Sequence, residues 1–171
     1  MHKPVPEKPV LFKQLEDWSK AESSDVRYYS GTAAYTCDFE LPVDFDVAKQ
    51  SLSLDLGDVE VVASVKLNGQ DAGIAWKNPY RVALGAAAHP GKNTLEIRVA
   101  NLWVNRLIGD EKLPPDSDRN QGGVLKSWPQ WLLEGKTSPT GRHSFATWRH
   151  WTAEDALRPS GLLGPVRLFR E

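Results

Sequence analysis

Sulfur is nearly absent from this chain: its 171 residues include one cysteine, Cys37, and one methionine. A lone cysteine excludes an internal disulfide, and four dispersed histidines leave no Cys/His spacing for a structural zinc. An excess of one charge sign is also lacking. The 21 Lys+Arg offset 22 Asp+Glu, for a formal net charge of −1 and a pI near 6.4. That removes the basic footprint of a protein that grips nucleic acid or an anionic membrane, so neither is expected as a partner. No apolar run approaches the roughly 20 residues that cross a bilayer. The opening Met1-His2-Lys3-Pro4-Val5-Pro6 holds no apolar signal core, which leaves secretion undecided. Stability must come from packing, and 171 residues with 40% hydrophobic content can bury the core of one ordinary domain.

What is abundant is punctuation. Thirteen Gly and twelve Pro lie between short alternating segments, as in an all-β domain with many turns. Pro4, Pro6 and Pro9 suggest an extended leader. Leu11, Leu15 and Trp18, with Phe12 beside them, fall at helical spacing and predict one short amphipathic helix within residues 10–21, ended by Ser23-Ser24. From Val26 the period changes to two. Tyr35, Cys37, Phe39 and Leu41 share one strand face, with Cys37 an inward-pointing small hydrophobe. Leu52, Leu54 and Leu56 repeat the pattern, as do Val59, Val61, Ala63, Val65 and Leu67. Asn68-Gly69 tolerates positive φ and predicts a tight hairpin returning through Ile74 and Trp76. Residues 80–84, then Leu95, Ile97 and Val99, give further strands, and a closing strand is expected at residues 166–169. The expected architecture is a jelly-roll β-sandwich with one short N-terminal helix and a long irregular loop. Residues 1–25 form the leader and helix, and residues 26–171 a single sandwich domain.

After Leu107 the regularity fails. Residues 108–131 hold Gly109, Pro114-Pro115, Gly122-Gly123 and Pro129 with Asp110, Glu111, Asp116 and Asp118, and an excursion of this length is the first place to look for a site. Aromatics crowd its far side. Five of the sixteen Phe, Tyr and Trp residues lie between Trp128 and Trp151. An indole offers a flat apolar face and one N–H, which suits it both to cores and to stacking on sugar rings; a sugar site also needs planar hydrogen-bonding side chains. Trp128, Trp131 and Trp151 are candidate plates, and Arg142, His143, Arg149 and His150 supply polar partners. The alternative is that these indoles fill the core or pin loops to it. Residues 143–151 read as a strand with two mixed faces, so its core side stays open.

A second constellation runs from Asn101 to Glu111. Arg106 could grip Asp110 or Glu111 while Asn105 ties down loop backbone; alternatively Asn105, Arg106 and Asp110 face a cleft and bind hydroxyls or a carboxylate. Trp76, Asn78 and Tyr80 carry the same ambiguity between turn and stacking surface. Catalytic readings fare poorly. Asp110/Glu111 and Glu154/Asp155 are sequence neighbours rather than facing carboxylates, and no Gly-x-Ser-x-Gly elbow is present. Gly85 and Gly91-Lys92-Asn93 have the wrong spacing for a phosphate loop. No cofactor is expected; the acidic loops could hold a structural calcium ion, although no ordered Asp/Asn ligand series is visible.

Taken together these residues resemble a known domain. Arg27-Tyr28-Tyr29-Ser30-Gly31-Thr32-Ala33-Ala34-Tyr35 followed by Phe39, then Leu54-Asp55-Leu56-Gly57, Val65-Lys66-Leu67-Asn68-Gly69, Trp76 and Pro79-Tyr80 are similar to the galactose-binding-like sandwich attached to family 2 glycoside hydrolases. Asn101-Leu102-Trp103-Val104-Asn105-Arg106-Leu107-Ile108-Gly109-Asp110 and Ser160-Gly161-Leu162-Leu163-Gly164-Pro165-Val166 narrow the resemblance to the C-terminal sandwich of family 106 α-L-rhamnosidases and their relatives. The resemblance implies a non-catalytic accessory module of a bacterial carbohydrate-degrading enzyme, secreted or periplasmic, whose catalytic carboxylates sit on a separate barrel. Its partners would be plant or microbial polysaccharide, rhamnose-containing or uronic-acid-containing, and the parent catalytic domain. The alternative it leaves open is a domain that only braces that catalytic domain.

Overall fold

The computed structural model describes residues 10–46 and 51–170, and these divide into two compact units. Of the described residues, one comprises 12–17, 31–46, 51–102 and 159–170; the other comprises 10–11, 18–30 and 103–158. The leader expected around Pro4, Pro6 and Pro9 lies outside the described residues.

The first unit holds the strands: β1 (Thr32–Leu41), β2 (Leu52–Asp55), β3 (Asp58–Glu60), β4 (Val62–Leu67), β5 (Gln70–Ala75), β6 (Arg81–Ala83), β7 (Gly91–Ala100), β8 (Gly161–Gly164) and β9 (Arg167–Arg170). They form a four-stranded sheet in the order β1-β7-β4-β5, a three-stranded sheet β6-β2-β9 and the pair β3-β8, all antiparallel. The fold is an all-β sandwich, built by the period-two alternation. Ala63, Val65 and Leu67 of β4 stand opposite Val99, Ile97 and Leu95 of β7, and all six are buried. Leu52, Leu54 and Val82 supply the core side of the three-stranded sheet, with Phe45, Leu84 and Leu162 in the same cluster. Each large side chain so buried contributes about 1.5–3 kcal/mol relative to exposure.

The β4–β5 hairpin turns at Asn68-Gly69 as its sequence predicts, with φ of 52° and 79°. Asn68 also works beyond the turn. Its Nδ2 donates to Ala87 O at 2.7 Å and to Asn93 Oδ1 at 2.9 Å. Asn93 is fully buried and fully used: Oδ1 also accepts from His89 N–H, while Nδ2 donates to the carbonyls of His89 and Gly91. A buried amide costs little only when its donors and acceptors are matched this way. Gly57 packs against Gly164 so closely that a Cβ there would lie 2.3 Å from the Gly164 carbonyl carbon, and its φ of +64° suits glycine.

Three expectations change. The helix at residues 10–21 does not form. Phe12 instead sets its ring 6.4 Å from Tyr35, Leu15 packs on the core, and Asp17 accepts a hydrogen bond from Ser160 N–H, so each side chain finds its own partner and no helical stripe is needed. What is helical there is a 3-10 turn, Trp18–Lys20, and α1 (Ser24–Arg27), for which Ser23 is the N-cap position rather than a terminator. The run from Val59 to Leu67 is two strands, since β3 leaves to pair with β8 before β4 joins the four-stranded sheet. Cys37 is exposed, not inward and buried, because β1 is an edge strand with a neighbour on one side only.

Candidate functional site

The second unit is built differently. Its helices are α1, α2 (Val104–Asp110) and α3 (Gln130–Leu133), and residues 143–151 are not the expected strand. Pairing there is limited to a bridge between Val124 and Trp148, with Leu125 N–H donating to Thr147 O and Arg149 N–H to Gly123 O. The physical reason lies on α2. Asp110, 1% exposed, accepts through Oδ2 from His143 N–H at 2.9 Å, Ser144 N–H at 2.6 Å and the Ser144 hydroxyl at 2.6 Å. A carboxylate has taken the amides that a neighbouring strand would have used.

α2 arranges the rest by its own periodicity. Arg106 Nη1 lies 3.5 Å from Asp110 Oδ1 at the i, i+4 spacing. One residue earlier, buried Asn105 exchanges two hydrogen bonds with the Arg158 backbone: Nδ2 donates to its carbonyl and Oδ1 accepts its N–H, both at 2.8 Å. Asn105, Arg106 and Asp110 thus tie down loop backbone or one another. Gly109 lets α2 approach Tyr28, where a Cβ would sit 2.6 Å from the ring.

Past the end of α2, Glu111 is held between two guanidinium groups. Arg142 Nη1 meets Oε1 at 2.8 Å and Arg149 Nε meets Oε2 at 3.0 Å. Arg142 also donates to the carbonyls of Pro114 and Leu113, which clamps the proline loop. Arg119 donates to the carbonyls of Gly123 and Ala146. Burial lowers the proton affinity of Arg119, the positive charges of Arg149 and Arg142 lower it further, and Glu111 and Asp116 oppose them.

These groups surround a hollow of about 40 Å³, lined by Glu111, Asp116, Arg119, Arg142, Arg149 and the indoles of Trp148 and Trp151 among others. That volume takes about two or three waters or one exocyclic group of a ligand, not a whole sugar ring. Both oxygens of Glu111 are engaged, and Asp116 Oδ2 is buried with no hydrogen-bond partner among the described residues.

Around the hollow the indoles differ in role. Trp128 is 57% exposed and rests on Phe145 at 5.9 Å. Trp131 meets the same ring edge-on at 5.8 Å and donates its N–H to Asp116 O, which makes it a loop pin. Trp148 is 50% exposed, fixed by its N–H to Gly122 O, with His150 at 4.1 Å. Trp151 is half-buried under the Arg158 guanidinium. The His143 side chain is exposed, and only its backbone N–H serves the Asp110 anchor. Trp76, Asn78 and Tyr80 belong to the sheet unit. Trp76 and Asn78 are exposed between β5 and β6, while Tyr80 packs on the core. The structure thus places Trp151 and Arg149 at the hollow and leaves Trp76, Asn78 and Tyr80 in a separate unit. Trp148 and Arg119 were missed. The cue for Trp148 was its place beside His150 and Arg149, whereas nothing in the sequence around Arg119 marks it. Among the described residues no three His, Cys, Asp or Glu side chains converge as a metal site.

Comparison with known proteins gives no matching family model. A protein of Formosa agariphila carrying the provisional name beta-glucuronidase is 46% identical over 159 residues, which is 93% of this chain and 14% of that protein. The solved rhamnosidase of Novosphingobium sp. PP1Y is similar over 99% of the chain at 38% identity and a TM-score of 0.73, again over 14% of its length. The chain therefore spans about one seventh of these relatives, which are named as glycoside hydrolases, and it shares its sandwich with the rhamnosidase.

Proposed function

We propose that this chain is a non-catalytic accessory module of a glycoside hydrolase, a galactose-binding-like sandwich that binds plant or microbial polysaccharide. The observation that carries the reading is the pair of half-exposed indoles, Trp128 and Trp148, each fixed by a neighbour, with Trp148 at a hollow lined by arginines. Rigid aromatic faces beside planar donors are what a sugar ring, apolar on one face and hydroxylated at its rim, requires. Likeness to proteins named for glycoside cleavage, over one seventh of their length, supports an accessory role. The parent enzyme is secreted or periplasmic on this reading, and its remaining segment carries the catalytic carboxylates; no helix among the described residues is long and apolar enough to cross a membrane.

Titration with rhamnogalacturonan, xylan and galactan fragments tests it. Trp128→Ala and Trp148→Ala are expected to weaken binding by about three- to tenfold each. Trp131→Ala and Trp151→Ala act through loop order. Unchanged affinity in all four variants removes the stacking surface.

A second reading rests on Ile74 and Trp76, 65% and 64% exposed on and just beyond the edge strand β5. Exposed apolar side chains at a sheet edge suit a domain that braces its parent enzyme. On that reading Ile74→Ser with Trp76→Ser abolishes association with the separately produced catalytic segment and leaves sugar titrations unaltered.

A further inference from the structure

The hollow is electrostatically one-sided. Three guanidinium groups, Arg119, Arg142 and Arg149, face two carboxylates, Glu111 and Asp116, which leaves one positive charge in excess. The carboxylates are also withdrawn from solvent: Glu111 has both oxygens bound and Asp116 Oδ2 is buried. Arg142 and Arg119 spend their terminal nitrogens on backbone carbonyls and Glu111. Arg149 does not. Its side chain is 44% exposed, its Nε holds Glu111, and its two terminal nitrogens carry no partner among the described residues. An ion pair made through Nε leaves the Nη1/Nη2 edge as a planar fork, the geometry that matches a carboxylate with two parallel hydrogen bonds. Trp148 and Trp151 line the same hollow, and its volume fits an exocyclic carboxylate better than a ring.

We propose that this hollow is an acidic-sugar subsite, in which the Nη1/Nη2 edge of Arg149 takes the carboxylate of a uronic acid residue while the adjacent Trp148 indole carries its ring. The inference rests on the sugar-binding reading above and narrows it to carboxylated saccharides. Glu111 acts as a positioning residue for Arg149.

The test is calorimetric titration of the full 171-residue chain with three probes of equal length: an oligogalacturonide, its methyl ester, and a sulfated oligosaccharide of uncarboxylated sugars. Because the ester alters only the ligand, no variant has to fold for this comparison. The free acid is expected to bind about tenfold more tightly than the ester. That advantage shrinks as salt rises, since the contact is half-exposed. Arg149→Gln should weaken binding of the free acid until acid and ester bind alike, and Glu111→Gln should reduce the difference between them by loosening the fork. Equal binding of acid and ester, or preference for the sulfated probe, overturns the carboxylate subsite while the polysaccharide-binding reading stands. Absence of binding to all three probes, and to the polysaccharide fragments used above, overturns both.

Discussion

The two units are stabilised by different physics. In the sheet unit nearly every buried side chain is apolar and sits where alternation places it; Val99, Ala63 and Leu67 are completely buried and meet across strands without any polar atom. In the other unit the buried groups include Asn105 and Asp110, and the backbone of residues 143–149 is held by a carboxylate, the Arg119 guanidinium and a short pairing with residues 123–125. Apolar burial is tolerant of shape and sums over many contacts, whereas a polar anchor is all or nothing: removing one partner strands the others. A unit that depends on a few polar anchors can hold exposed indoles and arginines on irregular loops without a sheet beneath them.

Substitutions test that contrast most directly. Leu67→Ala, deleting a fully buried side chain between β4 and the core, is expected to cost about 2–5 kcal/mol and to lower the urea midpoint of the whole sheet unit. Asp110→Ala should cost about 3 kcal/mol, because Arg106 loses its ion-pair partner and the amides of His143 and Ser144 lose their acceptor. Hydrogen exchange separates the two. After Asp110→Ala, amides at residues 143–149 should exchange faster while those of β4 and β7 keep their protection. Equal acceleration in both places would break the distinction drawn between the units.

The same contrast decides how much could be read from sequence. Strands β1, β2, β4 and β7 and the Asn68-Gly69 turn follow from period two and from one dipeptide's tolerance of positive φ, both local properties. The segment at residues 143–151 also reads as a strand, though with mixed faces, but its first two amides are taken by Asp110, which is 33 residues away from His143 in sequence. Nothing local reports such a contact. For the same reason Arg149 could be named as a polar candidate, while its pairing with Glu111 and the free edge left by that pairing could not. α2 was hidden because Gly109 lowers helix propensity, and glycine is there for contact with Tyr28 rather than for a turn. The grip of Arg106 on Asp110 is legible because four residues of spacing suffice, and the role of Asn105 in tying down loop backbone is legible too, although its partner Arg158 is not.

The smallest effect sharpens the comparison from the acid side. The sheet unit has its own polar tie at Asp55, whose carboxylate accepts from Gly57 N–H at 2.9 Å and from Arg81 Nε at 2.8 Å. The Gly57 amide, and after it Arg81, hold this carboxyl below its ordinary range. A carboxyl lowered in the folded state binds its proton less readily than in the unfolded chain, so its contribution is complete above the unfolded value of about 3.9 and fades as pH falls through the lower folded value. The difference in urea midpoint between wild type and Asp55→Asn should therefore be constant from neutral pH down to about 5 and close below about 4. It should also be much smaller than that of Leu67→Ala, because the Arg81 side chain is more than half exposed and solvent screens the pair. An Asp55→Asn loss as large as the Leu67→Ala loss would mean that the sheet unit, too, depends on its polar ties, and that apolar alternation explains the shape of its strands but not their stability.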